Sequence, residues 1–276
     1  MSALEFTILG CGSSGGVPRI DGDWGACDPA DPKNARTRCS LLVRRRGPDG
    51  VTSVIVDTSP DLRAHCLAAK VRHVDGVLIT HDHADQTHGI DDLRAFAGRQ
   101  RRRIPAWMDE TSRGSLGVRF DYVFDGRGGY PAICDLKLMT ADGERVRIDG
   151  AGGPVEALTF PQVHGAIGSV GLRFGDVAYS PDVNEIPEAG FAALQDLDVW
   201  VVDALRWTPH PTHAHVEKTL GWIDRVKPRR AILTNLHIDL DYTTLAVRLP
   251  SGVEPAFDGL SFNSPVTTHS ISDNLP

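Results

Sequence analysis

The segment His81-Asp82-His83-Ala84-Asp85-Gln86, with His88 two residues on, follows directly on the apolar run Val77-Leu78-Ile79. That run reads as a short buried strand. The chain thus leaves a sheet and at once presents three imidazoles and two carboxylates within eight residues. Imidazoles at i and i+2 with a carboxylate at i+4 do not share a helical face, whereas a tight loop at a strand end turns all of them toward one point. Neutral imidazole nitrogen and carboxylate oxygen are the ligands that zinc takes, so a metal ion is the reading adopted. A His-rich surface loop without a metal is the competing one.

A chain of 276 residues accommodates one large domain or two small ones. Its 41% hydrophobic and 24% charged residues suit a globular protein with a substantial core. A formal charge of -7 and a pI near 5.8 argue against holding long nucleic acid by bulk electrostatics. The runs Arg44-Arg45-Arg46 and Arg101-Arg102-Arg103 read as solvated faces. Met1 to Gly10 lacks a basic start followed by an apolar signal core, so export is not expected. Nor does any stretch approach the roughly 18 consecutive apolar residues of a membrane span. Five scattered cysteines (Cys11, Cys27, Cys39, Cys66, Cys134) fit reduced thiols in a cytoplasm better than a disulfide framework.

Leu4–Leu9 alternates as a strand and runs into Gly10-Cys11-Gly12-Ser13-Ser14-Gly15-Gly16-Val17-Pro18, a loop whose backbone can approach a ligand closely. It matches neither a Walker loop nor the dinucleotide spacing. Strands are expected at Ser40–Val43, Val54–Val56 and Val74–Ile79, with helices at Leu62–Lys70 and Ile90–Ala97. After Ile104–Met108 the pattern becomes irregular, and Phe120–Pro131, with Tyr122, Phe124 and Tyr130 among glycines, suggests an insertion or lid. The second half alternates again: strands at Val155–Phe160, Ser169–Phe174, Val177–Ser180, Val199–Val202 and Ala231–Thr234, helices at Glu217–Val226 and Thr243–Leu249. No linker divides the chain. From Asn263 to Pro276 it is polar and expected to be loosely held.

Metal sites of this size draw ligands from several strand ends. His164, Asp182 and His237 each follow a predicted strand. On these residues the chain resembles the metallo-beta-lactamase fold superfamily, whose signature His-x-His-x-Asp-His is followed by a distant His, Asp and His. The resemblance covers residues 1-262 as one hydrolase domain and leaves 263-276 as a tail. It implies an α/β protein of a single domain, a four-layer αββα sandwich. Within the superfamily the chain is similar to the phosphoribosyl 1,2-cyclic phosphate phosphodiesterases, relatives of the ribonuclease Z enzymes. The residues that carry this are Leu9–Pro18, Asp57–Arg63, the His81 cluster with Gly89, Tyr179–Asp182, Thr212-His213, Leu233–Asp239 and Phe257–Gly259.

That resemblance implies a first metal held by His81, His83 and His164, and a second held by Asp85 and His237, with Asp182 bridging. Asp57 is then the buried acid that braces the His81 loop. His213 takes the place of a general-acid histidine, with His215 the alternative and Asp85 the second catalytic residue. Ser13, Ser14 and His215 are expected to contact substrate, while Arg19, the Phe120–Pro131 segment and Arg206-Trp207 are candidates for the pocket wall. Two departures stand out. The motif's last histidine is Gln86, a poorer zinc ligand, so the second site should be weak unless His88 compensates. The cysteine cluster of a structural zinc is reduced to Cys27, with Cys39 twelve residues on, so no structural zinc is expected.

The implied cofactors are two divalent ions, zinc first and manganese as the alternative. About 3.5–4 Å apart, two such ions share a hydroxide and lower its pKa. The expected activity is hydrolysis of a small phosphodiester, a cyclic ribose phosphate or nucleotide, with an imidazole protonating the leaving oxygen. The expected partner is that small phosphorylated substrate, not long nucleic acid or a membrane, and a homodimer is a common arrangement among the relatives. Two other readings stay open: a lactone or thioester hydrolase of the same fold, and a non-catalytic binding or carrier protein in cofactor biosynthesis, which Gln86 keeps alive.

Overall fold

The computed structural model describes residues 3–265. Its first sheet is built from β1 (Ala3–Gly10), β2 (Ser40–Gly47), β3 (Gly50–Val56), β4 (Gly76–Leu78), β5 (Ile104–Met108) and β6 (Cys134–Leu138). The second contains β7 (Arg145–Ile148), β8 (Val155–His164), β9 (Ile167–Phe174), β10 (Val177–Ser180), β11 (Val199–Asp203), β12 (Arg230–Thr234) and β13 (Val253–Pro255). The chain then returns to the first sheet as β14 (Ser261–Pro265), antiparallel to β1, giving the order β14-β1-β2-β3-β4-β5-β6 against β13-β12-β11-β10-β9-β8-β7.

Period-two alternation sorts the strands' side chains into layers. Leu41, Val43, Val54 and Val56 face the second sheet, where they meet Val155, Leu172, Val201 and Ile232 in one core. Leu42 and Ile55 point the other way. There they pack with residues of α1 (Leu62–Ala68), α3 (Arg94–Gln100), α4 (Glu110–Arg119) and α5 (Asp121–Asp125). On the far side, Trp200, Val202 and Leu233 pack with α6 (Glu188–Ala193), α7 (Val216–Val226) and α8 (Tyr242–Arg248). A single turn, α2 (Ala84–Thr87), carries Asp85 and Gln86 of the histidine loop, with His83 as its N-cap. The layers are helix, sheet, sheet, helix: the expected αββα sandwich in one domain.

Several boundaries differ from the sequence reading. β4 is shorter than Val74–Ile79, and at its start side chains take part: the Val74 N–H donates to Gln100 Oε1, and the Asp75 carboxylate accepts from the Ser53 N–H and Arg102. The helix expected at Ile90–Ala97 is a 3₁₀ turn over Ile90–Leu93 followed by α3. Phe120–Pro131 is not a lid as a whole. Val123 and Phe124 of α5 are buried in the helix-side core, and the exposed part is Asp125 with residues 127–131. β14 takes in Asn263–Pro265 through the pairs Glu5↔Asn263 and Ala3↔Pro265, so the polar tail begins later than expected. Residues 266–276 of that tail lie outside the described residues.

The return of β14 also braces the glycine loop. Gly259 and Leu260 exchange backbone hydrogen bonds with Ile8, and Asp258 accepts from the backbone N–H of Cys11 (3.1 Å) and of Thr37 (2.8 Å).

Candidate active site

Asp57 ends β3 with its backbone in the left-handed region, φ 61°, which turns the carboxylate back under the loop leaving β4. Its Oδ1 accepts the Thr80 N–H at 2.8 Å, and the Thr80 hydroxyl lies 3.1 and 3.0 Å from the two carboxylate oxygens. With Asp57 ionised, that hydroxyl donates to the carboxylate and is free to accept from His81 Nδ1 at 3.1 Å. Burial pushes the Asp57 carboxyl up to about 8, against the Thr80 hydrogen bonds. A divalent cation nearby opposes that shift.

The relay leaves His81 Nε2 as the bare nitrogen, and it is buried without a hydrogen-bond partner. His164 ends β8, where Gly165 (φ 65°) turns the chain into β9 and leaves room for Thr212. His164 Nδ1 donates to the Thr212 carbonyl at 2.7 Å, an atom that only accepts, so its bare nitrogen is Nε2 as well. His164 Nε2 lies 3.2 Å from His83 Nδ1. Burial first, then the neighbouring histidines, pulls His81 well below the usual imidazole range; the same causes hold His164 at about 4. Both enter the cluster as neutral bases.

Donor atoms of His81, His83 and His164 all lie within 4.8 Å of one another. Asp182, just past β10, turns Oδ2 toward this trio, 3.7 Å from His81 Nε2 and 3.8 Å from His164 Nε2. Three imidazole nitrogens, one of them orphaned, plus a carboxylate form the donor set of a tetrahedral divalent metal. These residues fit such an ion.

The remaining expected ligands are placed differently. Asp85 sits in the first turn of α2, close enough for its charge to raise the Asp182 carboxyl, but outside the ligand groups. Gln86 is buried and donates Nε2 to Asp182 Oδ1 at 3.2 Å, with Oε1 unpartnered. His88 turns outward, its ring edge-on to Phe120 and its Nε2 3.3 Å from Arg119. His237 Nε2 is held by the Arg19 guanidinium, and Nδ1 lies 3.1 Å from Asp239 Oδ2 in a contact too poorly aligned for a hydrogen bond.

His213 packs against the trio with its ring 4.5 Å from that of His164, and it shares a second ligand group with His164 and Asp182. Its Nδ1 donates to Asp203 Oδ2 at 2.8 Å, while Asn235 Nδ2 donates to Oδ1 at 3.2 Å. Burial lowers the His213 pKa, but the charge and hydrogen bond of Asp203, then Asp182 and Asp85, overcome it and lift it to about 9. Asp203 does not figure among the residues expected from sequence. A signal was present: Val199-Trp200-Val201-Val202-Asp203 ends a buried strand in an acid, as Val54-Ile55-Val56-Asp57 does. The pairing Asp203↔Thr234 sets it beside Asn235.

The glycine loop lies alongside. The Ser13 N–H reaches the Leu236 carbonyl, next to His237, and Ser13 is buried while Ser14 is exposed. His215 caps α7 without a side-chain hydrogen bond to it, and His210 stands 5.2 Å from His213, ring to ring.

Residues 52–238 match the beta-lactamase superfamily domain. Among solved structures, a diphosphatase of the PhnP family superposes with a TM-score of 0.84 at 30% identity, over 96% of this chain and 98% of that one. Zn(2+)-bound PqqB from Methylobacterium extorquens (TM-score 0.68, 19% identity, 94% and 99% covered) and the short form of human tRNase Z (0.63, 12%, 94% and 98%) share the fold. An octanoyltransferase of Porphyromonas gingivalis is 29% identical over 260 residues, 93% of this chain and 51% of that protein. The chain therefore spans about half the length of that curated relative. With its two packed sheets and its histidine cluster at their strand ends, the chain belongs to the beta-lactamase superfamily and, within it, is similar to the PhnP family.

Proposed function

We propose that this protein hydrolyses a small phosphodiester, a cyclic ribose phosphate or a nucleotide, with zinc as the first choice of metal. The observation that carries the reading is the His213–Asp203 pair set against the His81, His83 and His164 trio. A bound metal supplies a water of lowered pKa and positive charge for the phosphoryl oxygens. The chain supplies the rest. His213 holds a proton for the leaving oxygen, Asp203 fixes its ring and stabilises its charged form, and Asn235 keeps Asp203 in place. Ser13 and the glycine-loop backbone line the approach to His237. The charge of -7 disfavours long nucleic acid. Among the described residues no helix is long and apolar enough to cross a membrane. Free, buried cysteines support a reducing cytoplasm.

The name of the Porphyromonas relative favours a second reading, acyl transfer or thioester hydrolysis. Transfer through a covalent thioester needs an accessible thiolate. All five cysteines are buried, and burial raises each thiol. None of these cysteines fits that role, which favours direct hydrolysis over a covalent transfer.

The test is turnover by the zinc-loaded protein of bis(p-nitrophenyl) phosphate, a cyclic ribose phosphate, a diphosphate diester and an acyl thioester. The cyclic phosphate should give the highest kcat/KM. Preference for the diphosphate would move the substrate class to that of the PhnP-family relative, and full metal without any turnover would leave a binding protein.

A further inference from the structure

We propose that this chain is built for one metal ion, and that the Arg19 guanidinium takes the part of the second cation. The inference rests on the hydrolase reading above and concerns the side of the site where a second metal would sit. Asp182 has only one oxygen facing the trio. Its other oxygen, Oδ1, which would bridge to a second ion, accepts the amide of Gln86 at 3.2 Å.

His237 is engaged as well. Arginine is protonated at any working pH and has no lone pair to offer. Its Nη2 therefore donates to His237 Nε2, and the lone pair that would bind a metal is occupied. A dication beside that guanidinium would also meet direct charge repulsion. What remains on this side is Asp85 and the unpartnered Gln86 Oε1, too few donors for a firm site.

Arg19 is held for this place. The Arg19 N–H donates to the Asp23 carbonyl and the Gly22 N–H to the Arg19 carbonyl, closing a turn at its base. Its Nη1 lies against Gly15, where a β-carbon would stand 3.2 Å from it. Among the described residues Arg19 has no carboxylate partner, unlike Arg38 with Asp61 or Arg119 with Asp82. Its charge is available to an anion. With a phosphoryl group against the trio, the guanidinium exchanges a neutral imidazole for a phosphoryl oxygen, a stronger, charge-assisted bond. It then steadies the charge that a second metal would otherwise steady.

The full-length protein is stripped with chelator and reloaded with Zn(II) or Mn(II), and bound metal is counted by elemental analysis and titration calorimetry. One ion per chain is expected. The double variant Arg19→Ala/Gln86→His should bind two. Arg19→Ala alone should lower kcat on bis(p-nitrophenyl) phosphate on the order of 10²-fold, with the first ion still bound and the melting temperature unchanged. Two tightly bound ions in the natural protein would overturn the proposal. So would a double variant that stays folded and binds only one, or an Arg19→Ala variant of unchanged rate. Absence of phosphodiester turnover at one ion per chain would instead defeat the hydrolase reading, since the metal count does not depend on substrate.

Discussion

Nδ1 of His213 lies 2.8 Å from Oδ2 of Asp203, and the carboxylate of that pair is wholly buried while the imidazole keeps an exposed edge. The proposed acid and its support would thus divide the work: one facing the reaction space, the other only its partners. His213→Ala should leave the metal bound while cutting the rate on a poor leaving group by about 10²–10⁴-fold. A p-nitrophenolate leaving group needs little protonation and should suffer far less. Asp203→Asn should show the same leaving-group dependence in weaker form. If both substrates slow together and metal is lost, His213 is a ligand. If only His215→Ala shows the dependence, the acid is two residues further on.

His81→Ala and His164→Ala each remove one of three imidazoles from the trio. Metal content of the purified variants should fall well below that of the natural protein, and hydrolysis should drop to background. Full occupancy in either variant would put the site elsewhere.

Arg119, the last residue of α4, grips the metal loop from outside, donating to the Asp82 carbonyl at 2.6 Å and to Asp82 Oδ2 at 2.8 Å. Asp82 separates two of the proposed ligands, His81 and His83. Arg119→Ala should weaken metal affinity by about 10–100-fold with all ligands present, read as a shift in competition with a chromophoric chelator. An unchanged affinity would mean that the Asp57–Thr80 relay holds the loop alone.

Asp241 caps α8 by accepting the Thr244 N–H at 2.8 Å, and it also accepts from the Asn34 amide at 2.8 Å. Burial acts against the charge, but these bonds outweigh it and bring the carboxyl down to about 2. A folded-state pKa below the unfolded one adds stability that is complete above about pH 4 and is lost as pH falls toward 2. Asp241→Ala should therefore cost about 1 kcal/mol near neutrality. In urea titrations the gap to the natural protein should narrow below pH 4. A gap constant with pH would assign the loss to packing.

The histidine loop was legible because it concentrates chemistry within a few residues at a strand end. The inner strands were legible because Leu41 to Val43 and Val54 to Val56 are apolar on both faces, as buried sheets require. α4 was not, since it buries little beyond Ser112 and Leu116 and carries glycines at 114 and 117. β7 was hidden for the same reason: an edge strand alternating arginine with Val146 and Ile148. In the site itself, Asp203 and the role of Asn235 escaped, and Arg19 was legible only as a candidate for the pocket wall, because their roles depend on long-range contact. Arg19 meets His237 across 218 positions of chain, a relation no local pattern encodes.

The bracing of Cys11 and Thr37 by Asp258 has a consequence for biosynthesis. A ribosome delivers β1 and the glycine loop well before β14. Every proposed metal ligand, through Asp182, has emerged before the strand that closes the first sheet exists. A nascent chain can therefore begin to gather metal while the loop that faces substrate is still unbraced. The proposed activity should appear only once β14 docks on β1, which makes that pairing the step that completes the site.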